Sequence, residues 1–122
     1  MKVDQANVST LTQIPFLPIR LFKNRSIATG KFEPQAIFES SGTTGSQSSK
    51  HFVKDLSIYE NSFKNTFRTF YGDAENYCIL GLLPSYLERG NSSLVYMADK
   101  LVQLSEHPQS GFYLNEYEQL AV

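Results

Sequence analysis

The sequence predicts an α/β fold in which strands and helices alternate along one domain. Apolar runs of strand length occur near residues 36–38 and 77–84, and a short run of β-type residues occurs at 51–54. Apolar side chains at spacings of three and four, typical of amphipathic helices, follow the second and third runs. Hydrophobic residues make up 41% of the 122 residues and charged residues 19%, the composition of a folded globular protein. A chain of this length fits one domain, so residues 1–122 are expected to form a single unit.

An apolar arm precedes the first strand. Pro15 and Pro18 push the residues before them towards extended geometry, so this segment is not expected to be a helix. Its side chains would form a large apolar patch if they were exposed, and we therefore expect the arm to lie over a sheet or a helix. The side chains concerned are Phe16, Leu17, Ile19, Leu21 and Phe22.

The first two strands are predicted on either side of a loop of small polar residues. Ala36 to Phe38 form a short apolar run that ends at Glu39, and residues 40–49 read SSGTTGSQSS. Residues 51–54 then restore β-type side chains. The pattern predicts strand, loop and strand.

A helix is predicted next, with Asp55 or Ser57 as its N-cap and Gly72 as its stop. An aromatic stripe at helical spacing most often faces a core. The stripe consists of Leu56, Tyr59, Phe63, Phe67 and Phe70.

The run from Tyr77 to Pro84, YCILGLLP, predicts a strand covered on both faces, as in parallel sheets. Cys78, the only cysteine, lies within it. A thiol there is expected to pack as a small apolar group. The alternative is a nucleophile that carries an acyl group, which requires an adjacent base and access to solvent.

A second helix is predicted from Asn91 or Ser92 to the neighbourhood of His107 and Pro108. Its apolar face would consist of Leu94, Ala98, Leu101 and Leu104. After a short apolar piece at 112–114, Asn115 and Glu118 resemble a capping box. Only a few residues remain before Val122, and helices shorter than about 12 residues are marginal in isolation. The chain is therefore expected to be a truncated domain that stops inside an element.

Charge and hydropathy exclude two classes of partner. Eleven basic and twelve acidic residues give a net charge of −1, and no basic run offers a track for nucleic acid. The longest apolar stretches are far shorter than the roughly 20 residues of a membrane span, and no signal-peptide pattern follows Met1. These features predict a cytoplasmic protein without a nucleic-acid or membrane partner.

The segment from Ser40 to Ser46 concentrates hydroxyl groups and two glycines between the first two strands. Glycines allow close approach of the backbone, and backbone N–H groups and hydroxyls donate hydrogen bonds to anionic oxygens. Such a segment is suited to a polyphosphate. It is not a Walker A sequence, because Lys50 lacks the preceding glycine, and Gly42 and Gly45 do not form a dinucleotide fingerprint. The alternative is a flexible polar hairpin loop, since Ser, Thr and Gly dominate turns.

The string SSGTTG followed by a polar stretch and Lys50 resembles the phosphate-binding signature of adenylate-forming enzymes, the superfamily of acyl-CoA synthetases. Three segments are similar, in order, to the acyl-protein synthetases of bacterial luminescence operons: IPFLPIRLF, FESSGTTGSQSSKHFVKDLSIYE and LLPSYLERGNSSLVYM. The resemblance covers Ile14 to Met97. It implies an incomplete N-terminal part of the large adenylating domain.

The resemblance also implies a function. ATP, with Mg²⁺, and a carboxylic acid such as a fatty acid would give an acyl-adenylate, and the acyl group would pass to a thiol or an acyl-acceptor protein. The residues implied to hold ATP phosphates are Ser41, Gly42, Thr43, Thr44, Gly45, Ser46 and Lys50. Lys50 departs from the family spacing, and a solvated lysine at a strand edge is the alternative. No metal ligand and no catalytic residue is assigned in this chain.

Two further residues are implied to border the acyl pocket. Tyr86 and Glu88 stand where other family members have a proline followed by an aromatic residue or histidine. The alternative for both is a cap or a solvent contact after a strand. His51 and His107 are assigned structural rather than catalytic roles.

The later family motifs that bind adenine, magnesium and ribose have no counterpart before Val122, nor does the mobile lysine, so the chain alone is expected to be inactive. A first alternative is a binding module that retains only the fold and a protein partner. A second is a serine acyltransferase, which would require a GxSxG elbow that the sequence lacks. An exposed apolar edge of a truncated domain also predicts a homodimer.

Overall fold

The computed structural model describes residues 8–40, 48–84 and 90–120. In chain order the helices are α1 (Leu21–Asn24), α2 (Leu56–Tyr71), α3 (Ser93–Ser105) and α4 (Tyr117–Leu120). The strands are β1 (Ala36–Glu39), β2 (Lys50–Val53), β3 (Leu80–Gly81) and β4 (Gly111–Phe112). Single 3₁₀ turns lie at Leu11–Gln13 and Ala74–Asn76. The fold is mixed α/β with two small sheets.

The two strands predicted on either side of residues 41–47 are confirmed as an antiparallel pair, whereas the loop predicted between them lies outside the described residues. β1 and β2 pair in the register Ala36 to Val53 and Glu39 to Lys50. The Gln35 side chain joins this hairpin to α2, because its Oε1 accepts a hydrogen bond of 2.7 Å from the Leu56 backbone N–H.

Helix α2 is confirmed with both of its predicted ends. Asp55 is the N-cap and accepts from the Ser57 backbone N–H at 2.9 Å, and Gly72 follows the last turn with φ 88° and ψ −160°, a region open only to glycine. Phe63 is buried, and Tyr59 and Phe67 pack beside the core. Phe70 does not face the core as the stripe predicted, because its side chain is 77% exposed. It lies past the part of α2 that packs against the core.

A parallel pair with a helical crossover forms the second sheet. β3 and β4 pair through Leu80 with Gly111 and Gly81 with Phe112, and α3 connects the two strands. Gly81 allows the strands to approach, since a Cβ there would lie 3.0 Å from the Phe112 ring.

The prediction of a long, doubly covered strand at Tyr77–Pro84 is wrong. Only Leu80–Gly81 are a strand, and the Leu80 and Leu82 side chains are 48% and 59% exposed. The reason is that in the described part of the chain this segment has one short neighbouring strand, so pairing ends after two residues. Cys78 is exposed, which corrects its predicted packing inside a strand.

Helix α3 begins as predicted at the N-cap Ser92, whose hydroxyl accepts from the Val95 backbone N–H at 3.4 Å. It ends at Ser105, and Glu106 follows in the left-handed region with φ 50°. The buried face differs from the predicted one: Leu101 is buried as expected, but Leu94 is 51% exposed, while Val95 and Tyr96 are buried. The buried face of α3 is therefore rotated relative to the predicted apolar face, since Tyr96 packs in the aromatic core.

The core lies between the hairpin and the two long helices. Its buried members are Phe38 from β1, Phe63 from α2, and Tyr96 and Leu101 from α3. The Phe38, Tyr59 and Tyr96 rings meet at centroid distances of 5.5 to 6.2 Å. Edge-on and tilted contacts of this kind stabilise aromatic clusters beyond the area they bury.

The apolar arm does not lie over a sheet or a helix, which corrects that prediction. Phe16 is 99% exposed and Ile19 is 84% exposed. Only its last part, Leu21 and Phe22, is half-buried, because α1 folds back against β2.

The final predicted helix is present as α4. It begins at Tyr117, two residues after Asn115, so Glu116 rather than Asn115 precedes it. Across the described ranges, no helix has the length and apolarity needed to cross a bilayer.

Candidate functional site

The two ends of the glycine–hydroxyl segment are joined by a serine pair at the end of the β1–β2 hairpin. The Ser40 backbone N–H donates to the Ser49 carbonyl at 3.0 Å. The Ser49 backbone N–H and hydroxyl both donate to the Ser40 hydroxyl, at 3.0 and 2.9 Å. Ser49 is buried. The chain therefore enters and leaves residues 41–47 at one fixed point.

Lys50 and Glu39 form a cross-strand ion pair next to this serine pair. Their charged atoms lie 3.6 Å apart, and the Lys50 side chain is 57% exposed. The Ser48 hydroxyl donates to the other Glu39 oxygen at 3.5 Å. An exposed pair of this kind contributes little stability. Lys50 therefore remains free to exchange its carboxylate partner for another anion.

His51 holds α1 against the hairpin. Its ring stacks on Phe22 with centroids 5.1 Å apart and an interplanar angle of 20°. Its Nε2 lies 3.4 Å from the Ser49 hydroxyl. This position agrees with the structural role predicted for His51, between the arm and the serine pair.

A basic cavity of about 200 Å³ opens between α1 and β2. Three of its lining side chains are cationic: Lys23, Arg25 and Lys50. Asn24 and Ser26 add neutral polar groups. Sequence reasoning singled out Lys50 alone. The short KNR run at 23–25 was the available signal, but only the packing of α1 brings it to Lys50.

A second cleft, of about 340 Å³, also lies at the end of the hairpin, and it is lined by Phe38, Glu39, Ser40, His51 and Ser93. The Glu39 backbone N–H donates to the Asn91 carbonyl at 2.7 Å, and the Tyr59 hydroxyl donates to the Ser93 carbonyl at 3.0 Å. Burial raises the pKa of Tyr59 above its ordinary value of 10.0, opposed by its hydrogen bond to Ser93. Tyr59 is thus a neutral donor that fixes the start of α3 beside the hairpin.

The predicted site residues are only partly within the described chain. Ser41, Gly42, Thr43, Thr44, Gly45 and Ser46 lie outside the described residues, as do Tyr86 and Glu88. Lys50 is described. The contact between Glu39 and Asn91 also brings together the residues that flank the two candidate segments, 41–47 and 85–89.

No three His, Cys, Asp or Glu side chains converge into a metal-binding group within the ranges 8–40, 48–84 and 90–120. His107 closes the turn after α3, where its Nδ1 accepts from the Gln109 backbone N–H at 3.2 Å. This contact agrees with its predicted place at a helix end.

Comparison of the chain with protein-family models, with curated proteins and with solved structures gave no match.

Proposed function

We propose that this chain is the phosphate-binding part of a cytoplasmic adenylate-forming enzyme, an acid–thiol or acyl-protein ligase that activates a carboxylic acid, such as a fatty acid, with ATP. The observation that carries the proposal is the serine pair Ser40 and Ser49, which holds both ends of SGTTGSQ at one point next to the cation of Lys50. A glycine-rich sequence with hydroxyl and N–H donors is suited to the oxygens of a polyphosphate. The resemblance to the acyl-protein synthetases agrees with this chemistry.

The residues present fit the phosphate part of ATP. Lys50 is exposed enough to meet an anion, and its pairing with Glu39 at 3.6 Å is long for a charge-assisted hydrogen bond. Residues 41–46 would contribute neutral donors, which preorganise the phosphates without adding charge. The described residues supply no ligand set for Mg²⁺, so in this proposal the metal accompanies the nucleotide.

The acyl-adenylate would form when the acid carboxylate attacks the α-phosphorus and pyrophosphate departs. The role proposed for this chain is to hold the β- and γ-phosphates and to balance charge on the leaving group. The contact between Glu39 and Asn91 supports a place for Tyr86 and Glu88 near the same site, bordering the acid. Transfer of the acyl group to a thiol or a partner protein would complete the reaction.

The experiment that tests this proposal is ATP–pyrophosphate exchange with a panel of carboxylic acids. It is run on the 122-residue chain and on a longer protein that contains it. We expect exchange by the longer protein with at least one acid. Absence of exchange from both, with folded samples, would contradict the proposal.

Thr43→Val and Thr44→Val sharpen the test within the longer protein, because each removes a donor and keeps the side-chain shape. We expect each to lower kcat/KM by about 5- to 150-fold, equivalent to about 1 to 3 kcal/mol of transition-state stabilisation. Thr29→Val, at an exposed position before β1, is the matched control and should leave the rate unchanged. Unchanged kinetics in both loop variants would remove the loop from the mechanism.

A second candidate is a binding module without catalysis. The observation that favours it is the exposed apolar arm, in which Phe16 and Ile19 are 99% and 84% exposed. A stable stoichiometric protein partner, together with no nucleotide binding, would select this function over adenylation.

A further inference from the structure

The cavity between α1 and β2 has an excess of positive charge. Lys23, Arg25 and Lys50 line one concavity of about 200 Å³. Of these three cations, only Lys50 has a carboxylate of the described residues within ion-pair distance, and that partner, Glu39, is 3.6 Å away. Three like charges around one opening repel one another, so an anion bound there relieves the repulsion.

Backbone hydrogen bonds and ring packing place the backbone of the residues that carry these cations. The Lys23 backbone N–H donates to the Arg20 carbonyl at 3.1 Å, and the Arg25 backbone N–H donates to the Leu21 carbonyl at 2.8 Å. The stack between Phe22 and His51 then holds this turn against β2. Lys23 and Arg25 therefore line the same cavity as the strand residue Lys50, although they are distant from it in sequence.

The chemistry of the lining selects a multiply charged oxyanion. A guanidinium offers two parallel N–H donors to oxyanions, and an ammonium acts as a point charge. Asn24 and Ser26 contribute neutral hydrogen-bonding groups at the same opening. A monovalent ion would satisfy one cation, whereas a polyphosphate extends across several.

We infer that Lys23 and Arg25 complete, together with Lys50, a binding site for the polyphosphate group, with free pyrophosphate as its smallest ligand. The identity of the anion rests on the proposed function. The assignment of Lys23 and Arg25 rests on the cavity. The arm before β1 is thus part of the phosphate site, and α1 supplies two cations that the loop itself lacks.

The test is calorimetric titration of the 122-residue chain with pyrophosphate at low salt, with ATP and chloride as comparison ligands. We expect Lys23→Gln and Arg25→Gln each to weaken pyrophosphate binding by about tenfold, the effect of losing one charged hydrogen bond. Lys31→Gln, which removes an exposed cation outside the cavity, is the matched control and should leave the affinity unchanged. Arg25→Lys should retain part of the affinity, and all variants should show the thermal midpoint of the parent chain.

The outcomes separate this inference from the proposed function. Loss of affinity in Thr43→Val and Thr44→Val but not in Lys23→Gln and Arg25→Gln would overturn the inference and leave the loop as the phosphate site. Loss in the two cation variants alone would support the inference and count against the loop. If Lys31→Gln weakened binding equally, the effect would come from net charge alone and the inferred site would be wrong. The inference would also be wrong if the parent chain did not bind pyrophosphate.

Discussion

Glu60 links the two long helices through side-chain contacts, in addition to the hydrogen bond from Tyr59 to Ser93. The Tyr96 hydroxyl of α3 donates to Glu60 Oε1 at 2.6 Å, and Lys64 lies 2.8 Å from Oε2 one turn along α2. Lys100 stands over the Tyr96 ring at 5.7 Å. Tyr96 is buried, so its hydrogen bond to Glu60 joins a core side chain of α3 to the polar face of α2.

The pKa of Glu60 predicts how the stability of the fold depends on pH. The hydrogen bond from Lys64, followed by that from Tyr96, lowers the pKa of Glu60 below its ordinary value of 4.5. A carboxylate with a lowered pKa in the folded state stabilises the protein fully above its unfolded-state pKa, and this stabilisation is lost as pH falls through the lowered value. Acidification below about pH 4.5 should therefore weaken the contact between α2 and α3.

Glu60→Gln is expected to lower the free energy of unfolding on the order of 1 kcal/mol at pH 7, because the amide keeps an acceptor for Tyr96 but loses the charge that pairs with Lys64. Its stability should also fall less steeply between pH 5 and 3 than that of the parent chain. Urea denaturation across this pH range measures both effects. Glu33→Gln, at an exposed position, is the control. If the parent chain and both variants lost stability identically with falling pH, Glu60 would not be the group that links stability to pH.

At the scale of the element, α2 carries two phenylalanines of the same predicted stripe in opposite environments. Phe63 is 7% exposed and lies 5.3 Å from the Tyr59 ring, whereas Phe70 is 77% exposed. Their spacing of seven residues places both on one helix face. The difference therefore comes from where the core ends along the helix.

Phe63→Ala is expected to lower the free energy of unfolding by about 3 to 4 kcal/mol, because it removes packing and leaves a cavity between α2 and the aromatic cluster. Phe70→Ala, the matched substitution on the same helix, should change it by less than about 0.5 kcal/mol. Chemical denaturation monitored by circular dichroism compares the two. Equal destabilisation by both would mean that the core extends to the end of α2.

The same helix shows what the sequence can predict and where local information ends. Asp55 and Gly72 act through local backbone geometry, so both ends of α2 could be predicted from the residues themselves. The extent of burial along the stripe depends on which elements cover it. The predicted length of strand β3 was wrong for a related reason. An apolar run indicates what a segment is able to bury, but a strand extends only as far as its neighbour pairs with it, and β4 pairs through two residues.

The candidate site was predictable to a similar degree. The β-type residues on either side of residues 41–47 predicted the antiparallel pair that brings Ser40 to Ser49, while the phosphate-binding role of residues 41–46 stays a prediction. Lys23 and Arg25 could not be assigned to it, because they reach Lys50 only through the tertiary stack of Phe22 on His51. A short basic run on a four-residue helix has no periodicity that identifies its partner.

At the scale of the whole molecule, the chain leaves much surface uncovered. Among the described residues, fifteen large hydrophobic side chains are exposed, whereas five hydrophobic side chains are buried. Among the described residues no side chain is less than 2% exposed. The exposed apolar side chains of the arm contribute to this excess, and surface of this kind favours association.

We therefore expect the chain to self-associate through the arm, as a dimer whose population rises with concentration. Replacing both Phe16 and Ile19 by Ser should weaken this association by at least about tenfold, since each exposed apolar side chain gains about 1.5 to 3 kcal/mol on full burial. Sedimentation velocity over a wide concentration range measures the equilibrium. The paired replacement of Ala28 and Thr29 by Ser, at exposed positions outside the arm, is the control and should dimerise like the parent chain. A parent chain that sediments as a monomer at every concentration would contradict self-association, and the arm would then be a surface for a different protein.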